Sequence, residues 1–129
     1  MGKVIVGFLL LSSTLFSLEW MKELNSAFAL AKKEQKNVMV LVEGENCRWC
    51  KKLKYRTLQD EAVEKRLEKF VVVKVMREDP SAMSQLPNVK GVPTTFFMKP
   101  NKDVVEEVLG FFNVEDFISY INDVERKTK

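Results

Sequence analysis

Two short apolar runs constrain the fold of this 129-residue chain more than any other feature of its sequence. Residues 38–42 and 70–75 are rich in β-branched side chains and too short for buried helices, so we interpret both as strands. An apolar run without alternation is typical of a strand buried on both faces, as parallel strands usually are. The segments between and around them have helical spacing, which indicates an α/β fold: a mixed β-sheet with helices on both faces.

The remaining elements follow from periodicity and capping residues. Residues 94–98 and 104–109 predict two antiparallel strands, joined by the hairpin turn at 100–103. The predicted helical segments are residues 19–35, residues 47–58, a third helix capped by Asp60, one turn at 81–86 and a last helix capped by Asn113.

The first seventeen residues have the pattern of a secretory signal peptide. Lys3 precedes an apolar run at 4–11, and small residues mixed with Leu15 and Phe16 follow up to Ser17. This run is shorter than the roughly 20 residues of a membrane-spanning helix, which favours a cleaved signal over a permanent anchor. We therefore predict a signal at residues 1–17, one domain at 18–129, and a periplasmic or otherwise extracytoplasmic location, where disulfides persist.

Composition excludes several classes of function. The chain has no histidine, which excludes a serine triad and every histidine-containing metal site. Its net charge is only +3, without a block of five like charges, so we expect no nucleic-acid partner. The chemistry is therefore expected to rest on the two cysteines, Cys47 and Cys50, without a metal.

The segment Cys47-Arg48-Trp49-Cys50 has three interpretations: a structural disulfide, half of a metal site, or a redox-active dithiol. A disulfide closing so short a loop stabilises by about 2 kcal/mol, against about 4.7 kcal/mol for a loop of ~100 residues. Structural zinc needs four ligands, and the chain offers two thiolates unless a second chain shares the site. The spacing favours the redox-active dithiol, which needs no cofactor beyond its own disulfide.

The two cysteines are expected to have different roles. Asn46 is a good N-cap, which would place Cys47 in the first turn of a helix. Free N–H groups and nearby basic side chains lower the pKa of a thiol there. Cys50 lies one turn further in, so we predict that Cys47 attacks a disulfide and Cys50 resolves the mixed disulfide.

The cysteine pair and a second motif together make residues 18–129 resemble the thioredoxin superfamily. Cys-X-X-Cys opens a helix after a buried strand, and Gly91-Val92-Pro93-Thr94 precedes the next-to-last strand. The resemblance implies a thioredoxin fold, a cis-proline at Pro93 beside the cysteines, and a Val92 backbone that binds extended substrates. Gly110 falls where the family has a glycine near its site.

The chain also departs from the usual thioredoxin pattern. With Trp49 inside the pair, the site is similar to the Cys-X-Trp-Cys site of exported thioredoxin-like oxidoreductases. This resemblance implies that Trp49 is an exposed contact for substrate; the alternative is a tryptophan packed on its own helix. The buried aspartate of thioredoxins aligns with Leu41, and its lysine partner with Lys74. Glu43, two residues along the same strand face, is a candidate for proton transfer or electrostatic support; the alternative is a solvated glutamate.

The resemblance implies an exported, monomeric thiol:disulfide oxidoreductase that acts on protein thiols and disulfides. We expect a reductase supplied by a membrane electron donor. The alternatives are a thiol oxidase or isomerase, and a binding module on the same scaffold with a structural disulfide. The reduction potential of the cysteine pair separates these hypotheses.

Overall fold

The structure is a computed structural model that describes residues 18–129 and, before them, positions 2, 4 and 7. The predicted signal at residues 1–17 lies almost entirely outside the described residues, so the boundary after Ser17 stays a prediction. In the part of the chain that is described, no helix combines the length and the apolar character needed to cross a bilayer.

A four-stranded sheet of described residues positions every other element. Its strands are β1 (Asn37–Glu43), β2 (Phe70–Met76), β3 (Thr94–Met98) and β4 (Val104–Leu109), in the spatial order β2-β1-β3-β4. β1 pairs parallel with β2 and antiparallel with β3, and β3 pairs antiparallel with β4. The predicted α/β class with a mixed sheet is confirmed.

Helices cover both faces of the sheet, as predicted. They are α1 (Leu24–Glu34), α2 (Arg48–Leu53) with a π-helical continuation at Lys54–Leu58, α3 (Glu61–Leu67), α4 (Pro80–Met83) and α5 (Val114–Lys127). The predicted caps at Asp60 and Asn113 are present. Asp60 accepts hydrogen bonds from the amides of Ala62 and Val63, and Asn113 accepts one from the amide of Asp116.

Side-chain alternation along β1 divides the interior into two cores. Val38, Val40 and Val42 pack under α1 and α4. Met39 and Leu41 point the other way, into a core closed by α2, α3 and α5. The continuous apolar run is therefore explained by a central strand that is buried on both faces.

The first helix begins later than its sequence pattern predicts. The apolar spacing predicts a helix from residue 19, but α1 begins at Leu24, after the cap residue Glu23. The Met21 amide donates to the Val72 carbonyl at 2.9 Å, and the Met21 carbonyl accepts from the Lys74 amide at 2.9 Å. These bonds to the edge of β2 satisfy the backbone that a first helical turn would otherwise use. The prediction for residues 19–23 was wrong for this reason.

Candidate active site

The cysteine pair follows the end of β1 after one turn. β1 ends at Glu43, and α2 begins at Arg48 with Cys47 as its N-cap. The prediction that Asn46 is the cap is therefore wrong. Asn46 has a φ of 51°, in the left-handed region, whereas an N-cap needs the extended backbone that Cys47 has, with φ −91° and ψ 102°.

Cys47 and Cys50 form a disulfide whose Cα atoms are 5.2 Å apart. The Cys50 amide donates a hydrogen bond to Sγ of Cys47 at 3.1 Å. Cys50 is only 2% exposed, whereas Cys47 is partly exposed. The two sulfurs therefore differ in accessibility: molecules in solution reach Cys47, and the protein shields Cys50.

The Val92–Pro93 segment lies against the turn that leads to the cysteines. Its peptide bond is cis. A Cβ atom on Gly44 would lie 3.0 Å from Cγ2 of Val92, so this close approach favours glycine at position 44. The Pro93 carbonyl accepts a hydrogen bond from the Gly110 amide at 2.8 Å. The segment thus connects the turn before Cys47 to the end of β4.

Trp49 lies on the surface with half of its area exposed, at 51%. Its ring centroid is 6.0 Å from that of Phe111. Nζ of Lys52 lies 4.5 Å from the Trp49 centroid and 5.3 Å from the Phe111 centroid. The indole therefore packs on one side and remains available to a partner on the other. Sequence reasoning missed Phe111, whose adjacency to Gly110 was the available signal.

Glu43 is buried and paired, unlike a solvated glutamate at a strand end. It is 8% exposed, and its Oε1 lies 2.6 Å from Nζ of Lys54. The Lys54 amide donates to the carbonyl of Cys50, so the ion pair lies one helical turn from the shielded cysteine. Lys54 was not predicted as a partner because a contact between a strand and a distant helix has no local sequence signal.

Lys74 lies on β2 directly opposite Leu41. Its Nζ is 5.1 Å from the centroid of Trp20, and the ion pairs found among the described residues do not include it. Trp20, Lys54 and Lys74 line a cavity of about 360 Å³. Lys74 therefore supplies a positive charge on the same sheet face as Glu43, and no carboxylate in the described part of the chain forms an ion pair with it.

Thr95 lies opposite Leu41 on the other side, in β3. Its hydroxyl is buried and has no hydrogen-bond partner among the described residues. In this same part of the chain, no group of three or more cysteine, aspartate or glutamate side chains is arranged to hold a metal.

Glu78 fixes the turn before Cys47 from outside. Its Oε1 accepts a hydrogen bond from the Glu45 amide at 3.0 Å. This hydrogen bond holds the pKa of Glu78 below its usual range, because it stabilises the charged form of the carboxylate.

Comparisons with known proteins agree with this geometry. The sequence profile of a thioredoxin-like family matches residues 19–100. A thioredoxin from Thermus thermophilus is 28% identical, with a TM-score of 0.74 over 87% of this chain and 90% of its own. No curated protein is significantly similar in sequence.

Two further solved structures share the fold. The C-terminal domain of Neisseria meningitidis DsbD, in its oxidised form, is 22% identical, with a TM-score of 0.67 over 81% of this chain and 97% of its own. A DsbH oxidoreductase is 16% identical, with a TM-score of 0.70 over 86% of each chain. At these identities the likeness concerns the fold alone.

Proposed function

This chain belongs to the thioredoxin-like family, and we propose that it is an exported reductase of protein disulfides. The family match and the paired cysteines identify a thiol:disulfide oxidoreductase with the thioredoxin fold. This confirms the predicted fold and the predicted class of enzyme. The direction of electron flow, the partners, the export and the roles of individual residues are our proposal.

The reaction needs only the two cysteines and a partner disulfide. The Cys47 thiolate attacks one partner sulfur; the Cys47–partner bond forms, the partner disulfide breaks, and its other sulfur leaves and takes up a proton. Cys50 then loses its proton and attacks Sγ of Cys47, which forms the intramolecular disulfide and releases the second partner thiol. The partner gains an electron pair and two protons, and an external dithiol donor must reduce the protein again.

The hydrogen bond from the Cys50 amide to Sγ of Cys47, at 3.1 Å, is the observation that carries the assignment of roles. A donor aimed at this sulfur favours the thiolate form of Cys47 once the disulfide is reduced. Cys47 is also the sulfur that solvent reaches, while Cys50 is 2% exposed. The accessible and activated sulfur attacks, and the shielded one resolves.

The Glu43–Lys54 ion pair supports the second step in this proposal. Cys50 must lose a proton before it attacks, and Leu41 has no acid–base chemistry where thioredoxins have an aspartate. Glu43 is the buried carboxylate on this sheet face, held by Lys54 one turn from Cys50. We assign Glu43 as a positioning and proton-handling residue and Lys74 as an electrostatic one.

Trp49, Val92 and Pro93 form the substrate-binding part of the proposal. The exposed half of the indole offers apolar area beside Cys47. Val92 lies against the turn at Gly44, where its backbone can pair with an extended partner segment.

Reductase direction is supported by the likeness to the Thermus thermophilus thioredoxin at 28% identity. Export is supported by the signal-like pattern of residues 1–17, and in that compartment a membrane protein would supply the electrons. N-terminal sequencing of the native protein tests export: the chain is expected to begin near Leu18, and an intact Met1 would contradict it.

Trapping of the mixed disulfide tests the mechanism. Reduced Cys50→Ser, incubated with a disulfide-bonded protein such as insulin, is expected to accumulate a covalent adduct, because no resolving thiol remains. Cys47→Ser is expected to accumulate little, since its remaining thiol is shielded. Mass spectrometry without reductant measures both, with the double serine variant as the control. Equal trapping by the two single variants would contradict the assignment of roles.

A further inference from the structure

The helical segment that carries the cysteines is strongly basic. Residues 47–59 contain no aspartate or glutamate. The segment's cationic residues are Arg48, Lys51, Lys52, Lys54 and Arg56. Lys54 is neutralised by Glu43, and the ion pairs found among the described residues do not include the other four. A positive field therefore lies along the helix that follows Cys47.

Lys52 differs from the other cations because aromatic rings hold it in place. Its Nζ lies 4.5 Å from the Trp49 centroid and 5.3 Å from the Phe111 centroid. The ring faces favour the cation and restrict its movement, yet they accept no conventional hydrogen bond. The ammonium group keeps N–H donors for a carboxylate that approaches from solvent.

Apolar area continues from these rings towards the Val92–Pro93 segment. Leu109 is 58% exposed, and its Cδ1 would lie 3.4 Å from a Cβ on Gly91. Phe111 follows it after Gly110, whose amide binds the Pro93 carbonyl at 2.8 Å. We name the set formed by Trp49, Lys52, Leu109 and Phe111 the Trp49–Lys52 patch.

We propose that the Trp49–Lys52 patch selects disulfide partners in which an acidic residue and an apolar residue flank the attacked cysteine. The inference rests on the proposed function, because the partner must place its sulfur at Cys47. A partner carboxylate would pair with Lys52 while its apolar neighbour covers the exposed indole. A basic partner would meet the same held cation and the uncompensated charges of the helix, and would be repelled.

The positions of the acidic residues near the site agree with a preference for acidic partners. Glu45 precedes Cys47, and Glu78 is engaged by the Glu45 amide at 3.0 Å. The cations follow Cys47 along the chain. The Trp49–Lys52 patch itself contains the Lys52 cation and no acidic side chain.

Peptides with one cysteine, blocked as a mixed disulfide with 2-nitro-5-thiobenzoate, test the inference. Three peptides differ only in whether glutamate, glutamine or lysine flanks the cysteine, and the chromophore released by the reduced protein reports the rate. Rates with dithiothreitol correct for intrinsic reactivity. At about 0.01 M salt we expect the glutamate peptide to react roughly 5- to 20-fold faster than the lysine peptide, with most of this ratio lost near 1 M salt.

Three variants assign the preference to Lys52. Lys52→Gln is expected to lower the glutamate-to-lysine ratio at least about threefold, and Lys52→Arg to keep it. Lys32→Gln removes an exposed lysine of α1 and is expected to leave both the ratio and the glutamine-peptide rate unchanged. If Lys32→Gln lowers the glutamate-to-lysine ratio as much as Lys52→Gln does, net charge alone determines the preference, and the inference is overturned.

The glutamine peptide separates this inference from the proposed function. If it reacts while the glutamate and lysine peptides react equally at low salt, the inference fails and the oxidoreductase mechanism stands. If it does not react, both fail. If the glutamate-to-lysine ratio falls in Lys52→Gln but not in Lys52→Arg or Lys32→Gln, the Trp49–Lys52 patch is the selecting surface.

Discussion

The two faces of the sheet are built from different kinds of residues. On the face covered by α1 and α4, Thr94 is the one buried polar residue among those the structure describes, and its hydroxyl donates a hydrogen bond to the Gly91 carbonyl at 2.6 Å. The side towards α2 has three further buried polar or charged residues: Glu43 and Thr95 on the sheet, and Thr57 on the π-helical segment packed against it.

This difference separates the stabilising part of the molecule from the reactive part. An unpaired buried polar group costs about 1–3 kcal/mol, so an apolar face is the more stabilising arrangement. On the dithiol face Glu43 is paired with Lys54, and Thr57 donates to the Phe112 carbonyl at 2.6 Å. Thr95 has no partner among the described residues. Polar burial is thus concentrated where the cysteines react.

The largest expected effect comes from the apolar face. Phe28→Ala removes a side chain that is 3% exposed and is expected to lower the free energy of unfolding by about 3–5 kcal/mol. Urea unfolding measures this loss. The rate at which iodoacetamide alkylates the reduced dithiol should stay at the wild-type value, because Phe28 packs on the other side of the sheet. A parallel fall in that rate would show that the two faces are not separable.

A smaller effect is expected from the ion pair of the dithiol face. Glu43→Gln leaves Lys54, whose side chain is 33% exposed, without its counter-charge, and is expected to cost about 1–2 kcal/mol of unfolding free energy. It should also slow resolution of the mixed disulfide in a single-turnover experiment. Glu106→Gln, which breaks the surface pair with Lys127, is the control and is expected to change neither quantity measurably. Equal behaviour of the two variants would contradict a role for Glu43.

The smallest expected effect is a gain. Thr95→Val removes a buried hydroxyl that has no partner among the described residues and keeps the shape, so unfolding free energy should rise by about 1 kcal/mol. Thr57→Val is the matched variant, because it leaves the Phe112 carbonyl unpaired and should lower it by about 1–3 kcal/mol. Destabilisation of similar size in both variants would contradict the contrast between these hydroxyls.

Local signals in the sequence predicted much of this fold. The strands at 94–98 and 104–109 have the predicted bounds, because strand propensity and the turn between them act over a few residues. The Asn113 cap was predicted for the same reason. The cysteine spacing and the Gly-Val-Pro-Thr segment pointed to the family because each is contiguous in the chain.

Features that depend on distant contacts were not predicted. The backbone of Met21 bonds to β2, and Cys47 instead of Asn46 caps α2, because the tertiary path of the chain overrides local propensity there. The pairing of Glu43 with Lys54 joins a strand to a helix. Helical spacing also cannot distinguish an α-helix from the π-helical turn at Lys54–Leu58.

The reduction potential of the Cys47–Cys50 couple tests the central claim most directly. Equilibration with glutathione buffers, read by mass after alkylation, measures it. A reductase of protein disulfides is expected to have a value near about −270 mV, as thioredoxin does. A value near about −120 mV would indicate a thiol oxidase, and one below about −300 mV a structural disulfide; either result would contradict the account.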